Sequence, residues 1–116
     1  MPTTAPTPAL TIDIEPLATA VVVHCHGRLV SGSTGILYSA VSELIPTTKR
    51  IILDLSDLKH TDSMGLGTLV RLYVSAKSAG CSLELMHLSQ QVRNLLGLTN
   101  MLQIFTVVGE RGIKFM

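Results

Sequence analysis

The chain has 116 residues, with 9 Lys and Arg against 8 Asp and Glu for a formal charge of +1; it is 47% hydrophobic, 15% charged and 3% aromatic. This length supports one domain that removes roughly 65% of its unfolded surface from water, and the composition excludes a disordered chain, a basic nucleic-acid binder and a base-stacking surface. No run reaches the ~20 apolar residues of a membrane span, residues 1–8 form no secretory signal, and Cys25 and Cys81 are too few for a disulfide framework, so a cytoplasmic domain is expected.

Three of the five prolines fall in residues 1–8, among Thr and Ala. That segment has little to bury and reads as a disordered leader, with the folded domain at 9–116. Thr11 to Glu15 alternates as a first strand and ends at Pro16. Ala20 to His26 is a second strand, rich in valine. It sets Val21, Val23 and Cys25 on one face, and Val22, His24 and His26 on the other. The connection from Pro16 to Thr19 suits a hairpin. Gly27 and Gly32 bracket the loop that follows.

From Ser33 to Ile45 the period changes to that of a helix, with Ile36, Leu37, Ala40, Val41, Leu44 and Ile45 on one side. Ser31 or Ser33 can cap its start, and Pro46 stops it. Arg50 to Leu55 reads as a strand buried on both faces, which calls for helices above and below. Ser63 to Ala79 is a second helix whose stripe is Leu66, Leu69, Val70, Tyr73 and Val74, with Gly80 at its exit. Ser82 to Leu88 alternates as a strand. Ser89 caps a third helix in which Val92, Leu95 and Leu96 share a face, and Gly97 and Asn100 suit its exit. Gln103 to Val108 is the last strand. No repeat or second domain is present in the sequence.

The order ββαβαβαβ predicts an α/β layer structure with a mixed, mostly parallel sheet and helices packed on it. Ligands and partners of such sheets meet the carboxyl ends of strands and the helix starts that follow. After the third strand that position holds Leu58-Lys59-His60-Thr61-Asp62-Ser63-Met64-Gly65-Leu66-Gly67. The first amides of a helix lack internal partners, and the helix dipole adds positive potential there. Gly65 and Gly67 leave the first turn nearly bare, so a partner backbone or a bulky group can approach. On spacing alone the segment also reads as a capped helix whose two small residues pack under a neighbouring loop.

The run Ile51-Ile52-Leu53-Asp54-Leu55, then Leu58, then Asp62-Ser63-Met64-Gly65-Leu66-Gly67, resembles the central signature of the STAS domain family. The resemblance extends through Gly80, the Leu83 to Leu88 strand and Leu95-Leu96-Gly97-Leu98-Thr99-Asn100-Met101, and Gly27 and Leu29 fit the family's second-strand exit. A chain without membrane segments is most similar to the anti-sigma factor antagonists of that family. The resemblance implies a single STAS-like domain that binds rather than catalyses, with no cofactor. Its partner would be an anti-sigma factor that is also a serine kinase, and binding would release a sigma factor. That kinase can phosphorylate a hydroxyl beside the helix start, and a phosphatase reverses it. Asp62, Ser63, Met64, Gly65 and Gly67 would form the partner-binding surface, with the Leu29 to Ser33 loop alongside. Better-known antagonists carry a Ser or Thr before the first Gly. Met64 stands there in this chain and cannot accept a phosphoryl group, which leaves Ser63, or Thr61, as the candidate acceptor. The alternative is that Ser63 serves only as an N-cap and Met64 makes a binding surface without a switch. A second implied role is a STAS accessory subunit of a membrane transport complex, docking on its ATPase. A second copy of the chain, as a homodimer, is a further candidate partner. The family also implies a fourth helix after the last strand, but Gly109 and Gly112 disfavour one, so the C-terminal helix is expected to be missing or short, with Ile113 and Phe115 available to fill its place.

Other constellations are weaker. His24-Cys25-His26 offers metal-ligand types, yet a strand turns Cys25 away from the two histidines, and a closed zinc site wants four ligands. Unless His60 or His87 converges on them, they are exposed or partly packed strand histidines, and Cys25 fills the core. Ser63, His60 and Asp62 lie too close in sequence for a hydrolase relay, and neither a nucleophile elbow nor a phosphate-binding glycine loop is present. No catalytic or metal-ligating residue is therefore assigned.

Overall fold

The computed structural model describes residues 9–98 and 105–108. The leader 1–8, the expected helix exit at Asn100, the start of the last strand at Gln103, and the tail from Gly109 to Met116 lie outside the described residues. Along the chain run β1 (Leu10–Pro16), β2 (Val21–Leu29), α1 (Thr34–Leu44), a 3-10 turn (Ile45–Thr47), β3 (Arg50–Thr61), α2 (Ser63–Ser78), β4 (Ser82–Met86), α3 (Gln90–Leu98) and β5 (Thr106–Val108). The order is the one that the changes of hydrophobic period predict.

The strands form one sheet in the order β1-β2-β3-β4-β5. β1 and β2 make the expected antiparallel hairpin, closed by the Leu17 amide on the Ala20 carbonyl at 2.8 Å. The other three pairings are parallel. When strand order never reverses, right-handed crossovers put every helix on the same face. Packing agrees: Leu37 and Val41 of α1, Leu66, Leu69, Leu72 and Ala76 of α2, and Val92 and Leu96 of α3 share one core with Val23, Cys25, Leu53 and Leu85. The opposite face holds a small second cluster, Ala20, Val22 and Ile52 with Met86 against it, which contains no helix residue among the described residues. The expectation of helices above and below β3 is thus corrected. Ile52 is covered by strand neighbours instead.

β3 is twice as long as the expected Arg50 to Leu55. Its pairing with β2 continues to Leu29↔Thr61, and the register shifts between His24 and His26 and again between Gly27 and Arg28. Each shift places one extra residue on β3, a β-bulge. Gly27 lies inside β2 at the second shift rather than opening a loop. Its φ is +108°, and the Ala9 carbonyl stands where a side chain would begin, so only glycine fits.

Helix faces also differ in detail. In α2 the buried face is centred on Leu69 and Ala76, which brings in Leu72 and turns Val74 out to 55% exposure. At 100° per residue Val74 lies far around the helix from Ala76. Ile36 of α1 is likewise exposed. Gly80 exits α2 with φ +76°, as expected, whereas Gly97 lies within α3. Both cysteines are buried and free, and burial pushes the Cys25 thiol up to about 12. Among the described residues no helix is long and apolar enough to cross a membrane.

Candidate functional site

β3 delivers the chain to α2 through Thr61 and Asp62. Asp62 has extended backbone and occupies the N-cap. Its Oδ1 accepts from the Gly65 amide at 2.9 Å, and its Oδ2 accepts from the Ser31 amide at 3.1 Å. Those two amides hold its carboxyl below the usual carboxylate range. One side chain therefore caps α2 and ties it to the loop between β2 and α1. The cap is Asp62 and not Ser63, which is the first helical residue and is exposed.

The Leu29 carbonyl is the second fastening. It accepts from the Thr61 hydroxyl at 2.8 Å and from the Asp62 amide at 3.4 Å. Gly65 lies directly beneath it: a Cβ there would overlap both the Leu29 oxygen and Thr61 Oγ1. Gly65 is buried, so the chain's own β2 exit takes the close approach expected of a partner. Gly67 differs, because a Cβ there meets nothing within 4 Å. The loop itself is held by Ser33, whose hydroxyl donates to the Arg28 carbonyl at 2.8 Å and accepts from the Val30 amide at 3.0 Å. Ser33 takes the N-cap position of α1 but makes no side-chain cap bond, since its hydroxyl is committed to that turn.

Five expected residues therefore divide in two. Asp62 and Gly65 build the joint between α2 and the β2 exit. Ser63 and Met64 stand on its surface, Met64 with 58% exposure, and Gly67 is half-buried one turn on. Thr61 is buried with its hydroxyl bonded to the Leu29 carbonyl, whereas the Ser63 side chain is exposed. Arg71 lies on the same helix, its guanidinium 4.5 Å from the centre of the Tyr38 ring, a cation–π contact from α2 to α1. Leu29 and Ser31 owe their part to backbone atoms, and no residue type advertises a backbone carbonyl.

The histidines are more engaged than their sequence suggests. His24 lies between Glu15, 2.8 Å from Nε2, and Asp54, 2.7 Å from Nδ1. His26 lies between Asp13, 2.9 Å from Nε2, and Asp57, 2.8 Å from Nδ1. His87 reaches Asp54 at 3.3 Å, and His60 bonds Gln91 at 2.8 Å. Among the described residues no group of three His, Cys, Asp or Glu side chains is placed to hold a metal ion. Acidic residues at alternate positions of β1, facing histidines at alternate positions of β2, were a readable signal for half of this arrangement.

The STAS domain family model matches residues 11–111. A STAS-domain containing protein of Pseudomonas aeruginosa is 27% identical over 85 residues, 73% of this chain and 84% of that protein. Among solved structures, an anti-sigma factor antagonist from Mycobacterium paratuberculosis superposes with a TM-score of 0.77 at 20% identity, covering 90% of this chain and 89% of that one. The antagonist SpoIIAA in its unphosphorylated form gives 0.72 at 18%, covering 87% and 90%. A sulfate transporter family protein from Wolinella succinogenes gives 0.66 at 19%, covering 74% and 70%. At these identities the structural likeness is one of fold.

Proposed function

The chain belongs to the STAS domain family, and from that membership we propose that it is an anti-sigma factor antagonist: a non-enzymatic module that binds an anti-sigma factor with serine kinase activity and so frees a sigma factor. The observation that supports this reading is the α2 start, where Ser63 and Met64 are exposed on a joint made rigid by Asp62, Gly65 and the Leu29 carbonyl. A fixed backbone presenting a flexible thioether offers contact area at low ordering cost. The binding surface in this reading comprises Ser63, Met64 and Gly67, with Ser31 and Gly32 of the adjoining loop, on the joint that Asp62 and the buried Gly65 hold in place.

Ser63 is the phosphoacceptor in this reading, and a phosphatase restores the hydroxyl. SpoIIAA of Bacillus has been solved in a phosphorylated form with the same fold. A phosphoryl group adds about −1.5 to −2 charge and would take the chain from +1 to roughly −1 at the docking surface. Placed at a helix start it meets favourable potential from its own chain, yet it changes what the partner must accommodate. The reading puts the chain in the cytoplasm, where a sigma factor acts.

The alternative reading is a STAS accessory subunit of a membrane transport complex that docks on its ATPase; a sulfate transporter family protein shares the fold. Affinity capture with the wild-type chain and with Met64→Glu, followed by mass spectrometry, separates the two. An anti-sigma kinase retained by the wild type and lost by the variant supports the first reading. A transport ATPase supports the second. Equal retention of the kinase by both proteins overturns the assigned surface.

A further inference from the structure

Because every helix among the described residues packs on one face of the sheet, the other face carries two rows of charge across β1, β2 and β3. One row is Glu15–His24–Asp54, with His87 on the far side of Asp54; the other is Asp13–His26–Asp57, with Lys59 2.9 Å from Asp57. In each row both ring nitrogens of the central histidine lie within 2.9 Å of carboxylate oxygens. A neutral imidazole has one N–H and one lone pair, so one of its nitrogens would face a carboxylate acceptor to acceptor. Only imidazolium donates to both.

We propose that His24 and His26 are imidazolium in the folded chain at neutral pH and together form a proton-dependent clasp that fastens edge strand β1 to the sheet. Among the described residues β1 pairs with β2 alone and buries little: Leu10 is buried and Ile12 partly so, while Ile14 is 47% exposed and Asp13 and Glu15 are exposed. Its hold therefore depends more on these cross-strand pairs than that of any interior strand. The charged and titratable groups facing the two rings are Asp13 and Glu15 from β1, Asp54, Asp57 and Lys59 from β3, and His87 beyond β4; Arg28 is the remaining charged group of β2 itself, and the Arg50–Glu84 pair lies further along the same sheet.

The proton balance supports the geometry. Glu15 and then Asp54 raise the pKa of His24, and Asp57 and then Asp13 raise that of His26. Burial opposes ionisation of Asp54, but the Ser56 amide and His24 outweigh it and leave its carboxyl below the usual range; Lys59 and then His26 lower Asp57. A histidine raised in the folded state contributes fully below its unfolded value of about 6.5 and loses that contribution as pH rises through the folded value. The lowered carboxylates set the other limit, losing theirs as pH falls through their folded values. The clasp is closed between these limits. Both rings are partly exposed, so salt weakens it.

Side-chain nitrogen NMR and amide exchange on the whole chain test this. At pH 7 both nitrogens of each ring should be protonated, with titration midpoints above 6.5. Protection of the β1 amides should fall as pH rises through those midpoints, by up to about tenfold for each unit by which a midpoint exceeds 6.5, while Leu53 and Leu85 keep theirs. His24→Gln with His26→Gln should abolish that pH dependence. Should the double variant not fold, Asp13→Asn and Glu15→Gln, both exposed, should bring the midpoints down toward 6.5. Single-nitrogen tautomers at pH 7, midpoints at or below 6.5, or β1 protection indifferent to pH would overturn the proposal.

Discussion

The Leu29 carbonyl oxygen occupies the space in which a side chain on Gly65 would begin. These residues are far apart in sequence, yet their contact sets how close the β2 exit lies to α2. The same carbonyl takes the Thr61 hydroxyl, and Asp62 bonds the Ser31 amide one loop further on. A joint of this kind resists any change that lengthens it.

Gly65→Ala should destabilise the chain by about 1–3 kcal/mol, because the new methyl meets backbone that cannot step aside. Gly67→Ala should be neutral or stabilising by up to about 1 kcal/mol, since it removes a helical glycine into open space. Urea unfolding midpoints measure both. Equal effects at the two glycines would count against the close approach.

Leu72 and Val74 provide a second contrast within α2. Leu72 is fully buried, so Leu72→Ala should cost about 2–5 kcal/mol through lost burial and a residual cavity. Val74→Ala should stay within about 0.5 kcal/mol, as expected of a surface change. Thermal denaturation of the two variants decides between this face and the one that periodicity suggests.

Asp62→Ala removes both the α2 cap and the bond to Ser31 and should lower the thermal midpoint at pH 7, whereas Asp62→Asn keeps an acceptor and should lower it less. The wild-type carboxyl is depressed, so its contribution is present above the unfolded value of about 3.9 and is lost as pH falls through the folded value. The gap between wild type and Asp62→Ala should therefore narrow in acid. A gap that widens below pH 4 would show that the charge is not what stabilises the cap.

Kinase labelling discriminates between the hydroxyls. With the cognate kinase and ATP, Ser63→Ala should lose the phosphate found by peptide mass spectrometry. Thr61→Val should keep it, although that variant should lose about 1 kcal/mol with the bond to the Leu29 carbonyl. Phosphate on Thr61, or unchanged labelling of Ser63→Ala, removes Ser63 from the role.

Much of the architecture is legible without coordinates. The switch from period two in β2 to the helical repeat of α1, and Pro16 and Pro46 at element ends, specify the order of strands and helices. Local rules suffice because the backbone itself imposes those periods. The α2 start was legible as a place, since Asp62 before a glycine-spaced first turn marks a capped helix. Which glycine is spent inside the protein and which stays open was not. That division depends on the Leu29 carbonyl, and every residue has a carbonyl.

Spacing failed where β3 bulges. Asp54 and Asp57 are three residues apart, and strict alternation sends them to opposite faces; so too Leu55 and Leu58. The extra residue between them resets the alternation, so that both acids meet histidines on the open face and both leucines enter the core beneath the helices. The amino-acid sequence by itself determined the elements, their order and the family, because those follow from local periodicity and from one contiguous motif. Only the tertiary structure decided that the helices share a face, that Gly65 lies under Leu29 and that His24 and His26 each bridge two acids, because those facts arise when strands pair and a register slips.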